Sequence, residues 1–445
     1  MKRPVPSRVV VTTKEHSFVP LDETGRGISR AHLTELQEIQ NSGNEALFKM
    51  EVRGGQVGLK FQQFAGVVNF RDGSSLEILA KPPGSSLNDP QARDLIVHMV
   101  RIASKAPART GRLGTAKQGE TLQDNYISAV LDEAAFQVSE GFHRQFSIET
   151  EEGHSLRGKL MLQHQLSRYP GRHDRFVQSY PVWSYDTDIN RLLLSAVKSM
   201  LSATRSRRLR RELLKLVTVF GELGVGPLKA IPPNREFHRA DSRWLTSYSL
   251  CLQWLRRALP SLRADGRRVG PSMLFDMNDV FERYVRQSLK RVAPTLVQSS
   301  AKPTKMFRDS HGRGLLKLIP DVEVGRRGAA GPPLPLVCDA KWKEPRAAGG
   351  WKLEPADLRQ MYAYAKILRF SRAALIFPTM AEVPKVATFY SQDPDPIELT
   401  VLELPLGTAR SAERDTILAT LIDPSGIEIS IRHGKTMQQP LTIPV

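Results

Sequence analysis

Cysteine is almost missing from this sequence: among 445 residues only Cys251 and Cys338 carry a thiol. Two distant cysteines make neither a disulfide framework nor a CxxC zinc site, and they fit a reducing cytoplasm. Long apolar runs are missing too. No uninterrupted stretch of about 18 apolar residues occurs, so no helical membrane span is expected. The opening residues, MKRPVPSRVVVTTKEHSF, hold no apolar segment followed by a small-residue cleavage site, so no secretory signal is expected. The ten histidines are scattered, with no HxxxH or HExxH pair, which argues against a histidine-built zinc site. A GxxxxGK[ST] phosphate loop is also absent. The nearest approach, GRLGTAKQGET at 111–121, has the wrong spacing. No nucleotide is therefore expected on this chain, and any NTP dependence must come from a partner.

What is present is basic charge. Sixty-four Lys and Arg against 46 Asp and Glu leave +18, an excess that favours a polyanion such as nucleic acid, because phosphate contacts release counterions. Apolar content of 40% and charged content of 25% suit a globular protein. The length suits two or three domains.

Patterning divides the chain into three. Residues 1–122 read as β-rich: SRVVVTT (7–13), ALFKMEV (46–52), QVGLKF (56–61), GVVNF (66–70) and SLEILAK (75–81) are short, β-branched and separated by turn residues. Helices are expected at 30–40 and 89–104, the second with Asp89 as N-cap and Pro90 at its first position. Residues 123–265 read as mainly helical, with a β-like interruption at 144–162. Residues 266–445 alternate: a helix at 272–292, strands around 318–324 and 336–343, a helix at 354–370, and strands at 372–378 and 397–406. The fold class expected is α+β and multidomain, ending in an α/β module with a mixed central sheet.

The chemistry concentrates in LIPDVEVGRRGAAGPPLPLVCDAKWK, residues 318–343. Acidic residues interrupt both apolar runs. By strand alternation Asp339 shares a face with Val337, Lys341 and Lys343, while Leu336, Cys338, Ala340 and Trp342 form a core face. A carboxylate and an ammonium then stand about 7 Å apart along the strand, and Asp321 reaches the same point if the first strand pairs alongside. Two carboxylates suit Mg²⁺, a hard cation, with Mn²⁺ as a substitute; a lysine beside them stabilises charge on a phosphate. Pro-Asp, a loop and Asp-x-Lys form the PD-(D/E)xK nuclease signature. Gln360 and Tyr364 lie at i, i+4 on one face of the following helix and resemble the Q-x-x-x-Y element of RecB-like nucleases. Glu282, in MNDVFERYV, is a further acid on a preceding helix, where Arg286 at i+4 could simply pair with it. Weaker DNA contacts are expected from Lys343 and from an arginine pair opening the loop 325–335, placed at position 325 and at Arg326.

Several segments in series, SLRGKLMLQHQLSR (155–168), HDRFVQSYPVWSYDTDINRLLLSAVKSML (173–201), MNDVFERYV (277–285), IPDVEV (319–324), CDAKWK (338–343) and DLRQMYAYAK (357–366), resemble those of McrC proteins. These are the nuclease subunits of McrBC-type, modification-dependent restriction systems. The resemblance covers roughly 120–380. It implies an Mg²⁺-dependent DNA endonuclease in the PD-(D/E)xK superfamily, acting on modified foreign DNA in antiviral defence. It implies a hexameric McrB-like AAA+ GTPase or ATPase as activating partner, engaged by the N-terminal part. Onto this chain it carries Asp321 and Asp339 as metal-binding and catalytic, with Lys341, Glu282, Gln360 and Tyr364 as catalytic. The competing expectation is an inactive adaptor that docks on and stimulates such a ring.

Other features have plainer readings. Arg205, Arg207, Arg208, Arg210 and Arg211 spread around a helix rather than forming one stripe. Asp186, Asp188 and Asn190 imitate a metal loop, but a helix cap by Thr187 or Asp188 is simpler. Trp183, Trp244 and Trp254 are expected in the core.

Overall fold

The computed structural model describes residues 9–22, 27–42, 46–104, 121–204, 206–233, 237–239, 241–257, 272–298, 303–325, 335–347 and 350–424. The chain divides into two compact units: Met1–Asn125 together with Ser261–Val445, and Tyr126–Pro260. Together they make a mixed α/β protein. Among the described residues no helix is long and apolar enough to cross a membrane.

The first unit contains two principal sheets. One has β1 (Val9–Lys14), β2 (Phe64–Asn69), β3 (Ser75–Leu79) and β4 (Met273–Asp276), in the order β1-β3-β2-β4. The β1–β3 pair is parallel, and both β2 pairs are antiparallel. Here the structure departs from the expected division into 1–122 and 266–445. The pattern at 272–292 reads as one helix, but Met273–Asp276 within it form β4, which extends the N-terminal sheet. The two segments therefore belong to one compact unit. Helix α1 (Asp89–Ala103) follows β3. Its cap is Asn88, not Asp89: the Asn88 side chain accepts from Gln91 N, and the Gln91 side chain returns to Asn88 N, closing a capping box. Helix α2 (Met277–Val292) follows β4 directly, with Asp276 as its N-cap.

The second sheet runs β5-β6-β7-β9-β8, with β5 (Val322–Val324), β6 (Leu336–Ala340), β7 (Arg372–Thr379), β8 (Val386–Tyr390) and β9 (Glu398–Pro405). Its central pairs, β6–β7 and β7–β9, are parallel, and the flanking pairs are antiparallel. Helix α3 (Pro355–Leu368) bridges β6 and β7 and packs Met361, Tyr364, Ala365 and Leu368 against Val337, Leu375 and Val401. Helix α2 also packs on β6, and α4 (Ser411–Ile422) packs on β9 and α2. Every residue of β6 is buried, so the expected contrast between an open face and a core face does not hold. A parallel strand covered by helices has no solvent face, and a charge on it is enclosed.

The second unit carries a three-stranded antiparallel sheet, Gln145–Gly153, Phe176–Ser184 and Lys159–Leu160. Its helices include Asp188–Ala203, capped by Thr187, and Arg207–Glu222. Thr187 accepts from Asn190 N, and Asp186 pairs with Arg191. Trp244 and Trp254 are buried as expected, whereas Trp183 is 52% exposed. Strand alternation places Trp183 on the open side, stacked on Phe146 at 3.8 Å between ring centres. Of the arginine cluster, Arg205 lies outside the described residues.

Candidate active site

The antiparallel register of β5 and β6 pairs Val322 with Cys338 and Val324 with Leu336, which sets Asp321 opposite Asp339 where the pair opens. Asp321 closes that end itself: its Oδ2 accepts the backbone N–H of Ala340 at 2.7 Å. The carboxylate thus reaches across to the second motif. Arg286 on α2 holds the first motif from behind, donating to the Asp321 backbone oxygen from Nε at 3.1 Å and Nη2 at 2.7 Å. The same guanidinium pairs with Glu282. Glu282 therefore makes the i, i+4 surface pair and also lines the cleft.

Lys341 follows the end of β6, its backbone N–H bound to Ile376 O of β7 at 2.9 Å. Its Nζ lies 2.7 Å from Asp339 Oδ2 and donates to Gln360 Oε1 at 3.0 Å. The Asp339 contact is an ion pair between a buried carboxylate and a half-buried ammonium. Gln360 Nε2 donates to Tyr364 Oη at 2.8 Å, and Tyr364 donates to Ile319 O at 3.1 Å. A chain of donors thus runs from the lysine across one helix face to the residue before Pro320.

These groups line a cleft of ≈790 Å³. Its wall also holds Asp276, Asp279 and Asp357, so six carboxylates face it against the ammonium groups of Lys341 and Lys343. The sign is opposite to the +18 of the whole chain. Burial, then the nearby charges of Asp339 and Glu282, push the Asp321 carboxyl well above the usual carboxylate range. Burial likewise raises Asp339, against the pull of Lys341. Burial pulls the Lys341 ammonium down, but the adjoining Asp339 outweighs it and holds the group above its usual value.

Crowded, partly desolvated carboxylates that repel one another form a site short of positive charge. Hard oxygen donors of this kind fit a divalent cation such as Mg²⁺, which takes one or two carboxylates and keeps several waters. Among the described residues no group of three His, Cys, Asp or Glu is arranged as a ready-made metal cage.

The structure brings together Asp321, Asp339, Lys341, Glu282, Gln360 and Tyr364 around one cleft. Lys343 also faces it, but its Nζ is paired with Asp357 at 2.7 Å and Glu354 at 2.8 Å.

The expected DNA contact from an arginine at position 325 is wrong. There is no arginine 325: the residue is Gly325, and the arginine pair is Arg326 and Arg327. Gly325 has no side chain with which to hold a phosphate. Its backbone is left-handed, with φ 79°, a conformation that glycine adopts freely and a long side chain resists. It closes β5: its N–H donates to Leu296 O at 2.9 Å, and its carbonyl accepts Gln298 Nε2 at 3.2 Å. A Cβ there would meet the Pro335 backbone at 3.3 Å. Arg326 and Arg327 lie outside the described residues.

Two contributors are missing from the sequence expectation. Asp357 stands one helical turn before Gln360 on α3, 3.9 Å from Lys341; its spacing on the same face is the available signal. Arg286 looks in sequence like no more than a partner for Glu282, because nothing local signals a bond to a backbone carbonyl 35 residues ahead.

Residues 59–378, more than half of the chain, match the family described as McrBC 5-methylcytosine restriction system component. The chain belongs to this family. Among solved structures, the McrBC member resembles a chain of the refined half-complex from the tetradecameric assembly of Thermococcus gammatolerans McrB AAA+ hexamers with bound McrC. The identity is 17%, the match covers 93% of this chain and 99% of that one, and the TM-score is 0.58. A second similarity is to a chain of the Thermococcus gammatolerans McrBC complex, at 18% identity, covering 63% and 87% of the two chains with a TM-score of 0.44. No curated protein matches the sequence. The first of these likenesses speaks for the fold.

Proposed function

We propose that this McrBC family member is the DNA-cleaving subunit of a restriction complex: a PD-(D/E)xK endonuclease that uses Mg²⁺ and works with a ring-forming AAA+ NTPase. The observation that carries the reading is the junction of Asp321, Asp339 and Lys341, which the fold assembles from two paired strands. A surface hairpin has no reason to bury two like charges. The choice of partner is motivated by the Thermococcus assembly, in which McrC is bound to McrB AAA+ hexamers. Residues 1–122 are proposed to take part in docking it. Cytoplasmic action belongs to the same proposal.

Asp321 and Asp339 would hold the ion. When bound, it supplies Lewis acidity toward a water and the scissile phosphate. Lys341 holds a positive charge at the mouth of the acidic cleft, where charge develops on the phosphate. Gln360 orients that ammonium, and Tyr364 orients Gln360 through its bond to Ile319 O. Arg286 fixes the backbone that carries Asp321.

The test incubates the protein with methylated DNA and Mg²⁺, with and without the partner NTPase and nucleotide, alongside Asp339→Ala. Cleavage that needs the partner and is lost in the variant supports the proposal. Partner stimulation with no cleavage under any condition would show an inactive adaptor instead.

A further inference from the structure

The residue between the two cleft lysines makes a contact that the site does not explain. Trp342 is buried, and its indole Nε1–H donates to both carboxylate oxygens of Glu15, at 2.9 and 3.0 Å. Glu15 lies 327 residues earlier, immediately after β1, and is itself fully buried. Its position is fixed twice, from the end of β3 and just beyond it: Glu15 N donates to Leu79 O at 2.9 Å, and Glu15 Oε1 accepts Lys81 N at 2.6 Å. On its other side the Trp342 ring meets Phe281 of α2 at 5.5 Å between ring centres, next to Glu282.

This contact falls where the strand is least constrained by its own sheet. Regular pairing of β6 ends at Ala340. Beyond it, Lys341 has one backbone bond to β7, and Lys343 N folds back to Lys341 O at 3.0 Å. Trp342 is the centre of that tight turn. With the indole anchored, the turn cannot rotate. With it released, Lys341 and Lys343 hang from a short segment held by one backbone bond to β7, the Lys341–Gln360 bond and their ion pairs.

We propose that Glu15 is a positioning residue for the nuclease site: through Trp342 it fixes the turn that sets Lys341 against Asp339 and Gln360. The inference rests on the function proposed above. A buried carboxylate with neutral donors as its direct partners is costly unless its position is worth keeping. Glu15 is pushed up to about 7, chiefly by burial, against the donors Lys81 N and Trp342; Asp276 raises it further and the Lys81 charge lowers it. Charge-assisted bonds are stronger than neutral ones, so the anchor tightens as Glu15 ionises.

The experiment compares Trp342→Phe, Glu15→Ala and Glu15→Gln with wild type and Asp339→Ala, as full-length protein with the partner NTPase. Trp342→Phe keeps the ring against Phe281 and loses only the donor. Glu15→Gln keeps an acceptor and loses the titration. The expected result is a fall in kcat of about tenfold for Trp342→Phe and Glu15→Ala at unchanged KM for DNA, with recovery of most of the loss in Glu15→Gln. The indole N–H resonance of Trp342 should shift as pH passes about 7 in wild type and stay constant in Glu15→Gln. Full kcat in both Trp342→Phe and Glu15→Ala, with Asp339→Ala inactive, overturns this inference alone. So does an indole resonance that ignores the loss of Glu15, or a kcat loss that merely follows the unfolded fraction in thermal melts. Cleavage by Asp339→Ala at the wild-type rate overturns the nuclease reading itself, and this inference with it.

Discussion

Ala340 gives its backbone N–H to Asp321 Oδ2 at 2.7 Å, so the first acidic motif is stitched to the strand that carries the second. The side chain does what the next rung of the ladder would do if β5 continued. One carboxylate oxygen is thereby committed to structure. The other is left for the cleft.

Loss of either aspartate should be severe. Asp339→Ala should lower cleavage by about 10³-fold or more, the equivalent of ~4 kcal/mol of transition-state stabilisation. Asp321→Asn should do the same while retaining the acceptor for Ala340 N. Single-turnover cleavage at saturating Mg²⁺ measures both, and wild-type rates in either would remove that residue from the site.

Lys341→Met should cost about 10²–10³-fold in kcat, the range for removing one stabilising group from a transition state. Gln360→Leu should cost less, on the order of 10–100-fold, because it acts by orienting another group. If Gln360 mattered more than Lys341, the donor chain would have to run the other way.

Tyr364→Phe isolates the last link. It removes the hydroxyl that joins Gln360 Nε2 to Ile319 O and keeps the ring in the core formed with Val337 and Leu375. Leaving those two groups without a partner should destabilise the protein by about 1–3 kcal/mol. Urea denaturation with an unchanged slope would measure it.

Acidity should compete with the metal. The Asp321–Asp339 pair holds its carboxyls above the usual range in the folded protein, whereas in the unfolded chain an aspartate titrates near its ordinary value of about 3.9. Above that value the folded state binds more protons, so these groups lower stability as pH rises. Mg²⁺ binding must expel the proton, so the rise in Tm on adding Mg²⁺ should grow from pH 6 to pH 8. Asp321→Asn should abolish most of that growth. A Tm increment independent of pH would count against metal binding by this pair.

Both thiols should be inert in the native state. Burial pushes Cys251 up to about 12 and Cys338 higher still, and reactivity follows the thiolate. Labelling should appear only with global unfolding.

Much of the candidate site was legible because its charges stand where a strand pattern forbids them. Asp321, Asp339 and Lys341 interrupt apolar runs, and Gln360 with Tyr364 keeps helical spacing, so residue type and period pointed to one place. The elements missed were those decided by distant partners. Met273–Asp276 has the composition of a helix start, and only its pairing with Phe64–Asn69 makes it a strand. The hairpin Thr304–Arg308 and Gly314–Leu318, and the edge strand Val386–Tyr390, are half-exposed and carry weak alternation. Glu15 gave no sign at all, since a glutamate after a strand looks like any surface residue until its indole partner is seen.

The pairing of β4 with β2 also governs how the protein must be made. Gly66 waits for Leu274, and at ribosomal speed roughly 10–40 s separates their emergence. Through that interval one edge of the N-terminal sheet has no partner, and an open edge invites pairing with other chains. Residues 126–260 form a compact unit of their own, free to fold during the wait. The acidic cleft, which needs Asp276 and everything after it up to Tyr364, comes into being only late in synthesis. A nascent or truncated chain therefore carries no assembled cleft.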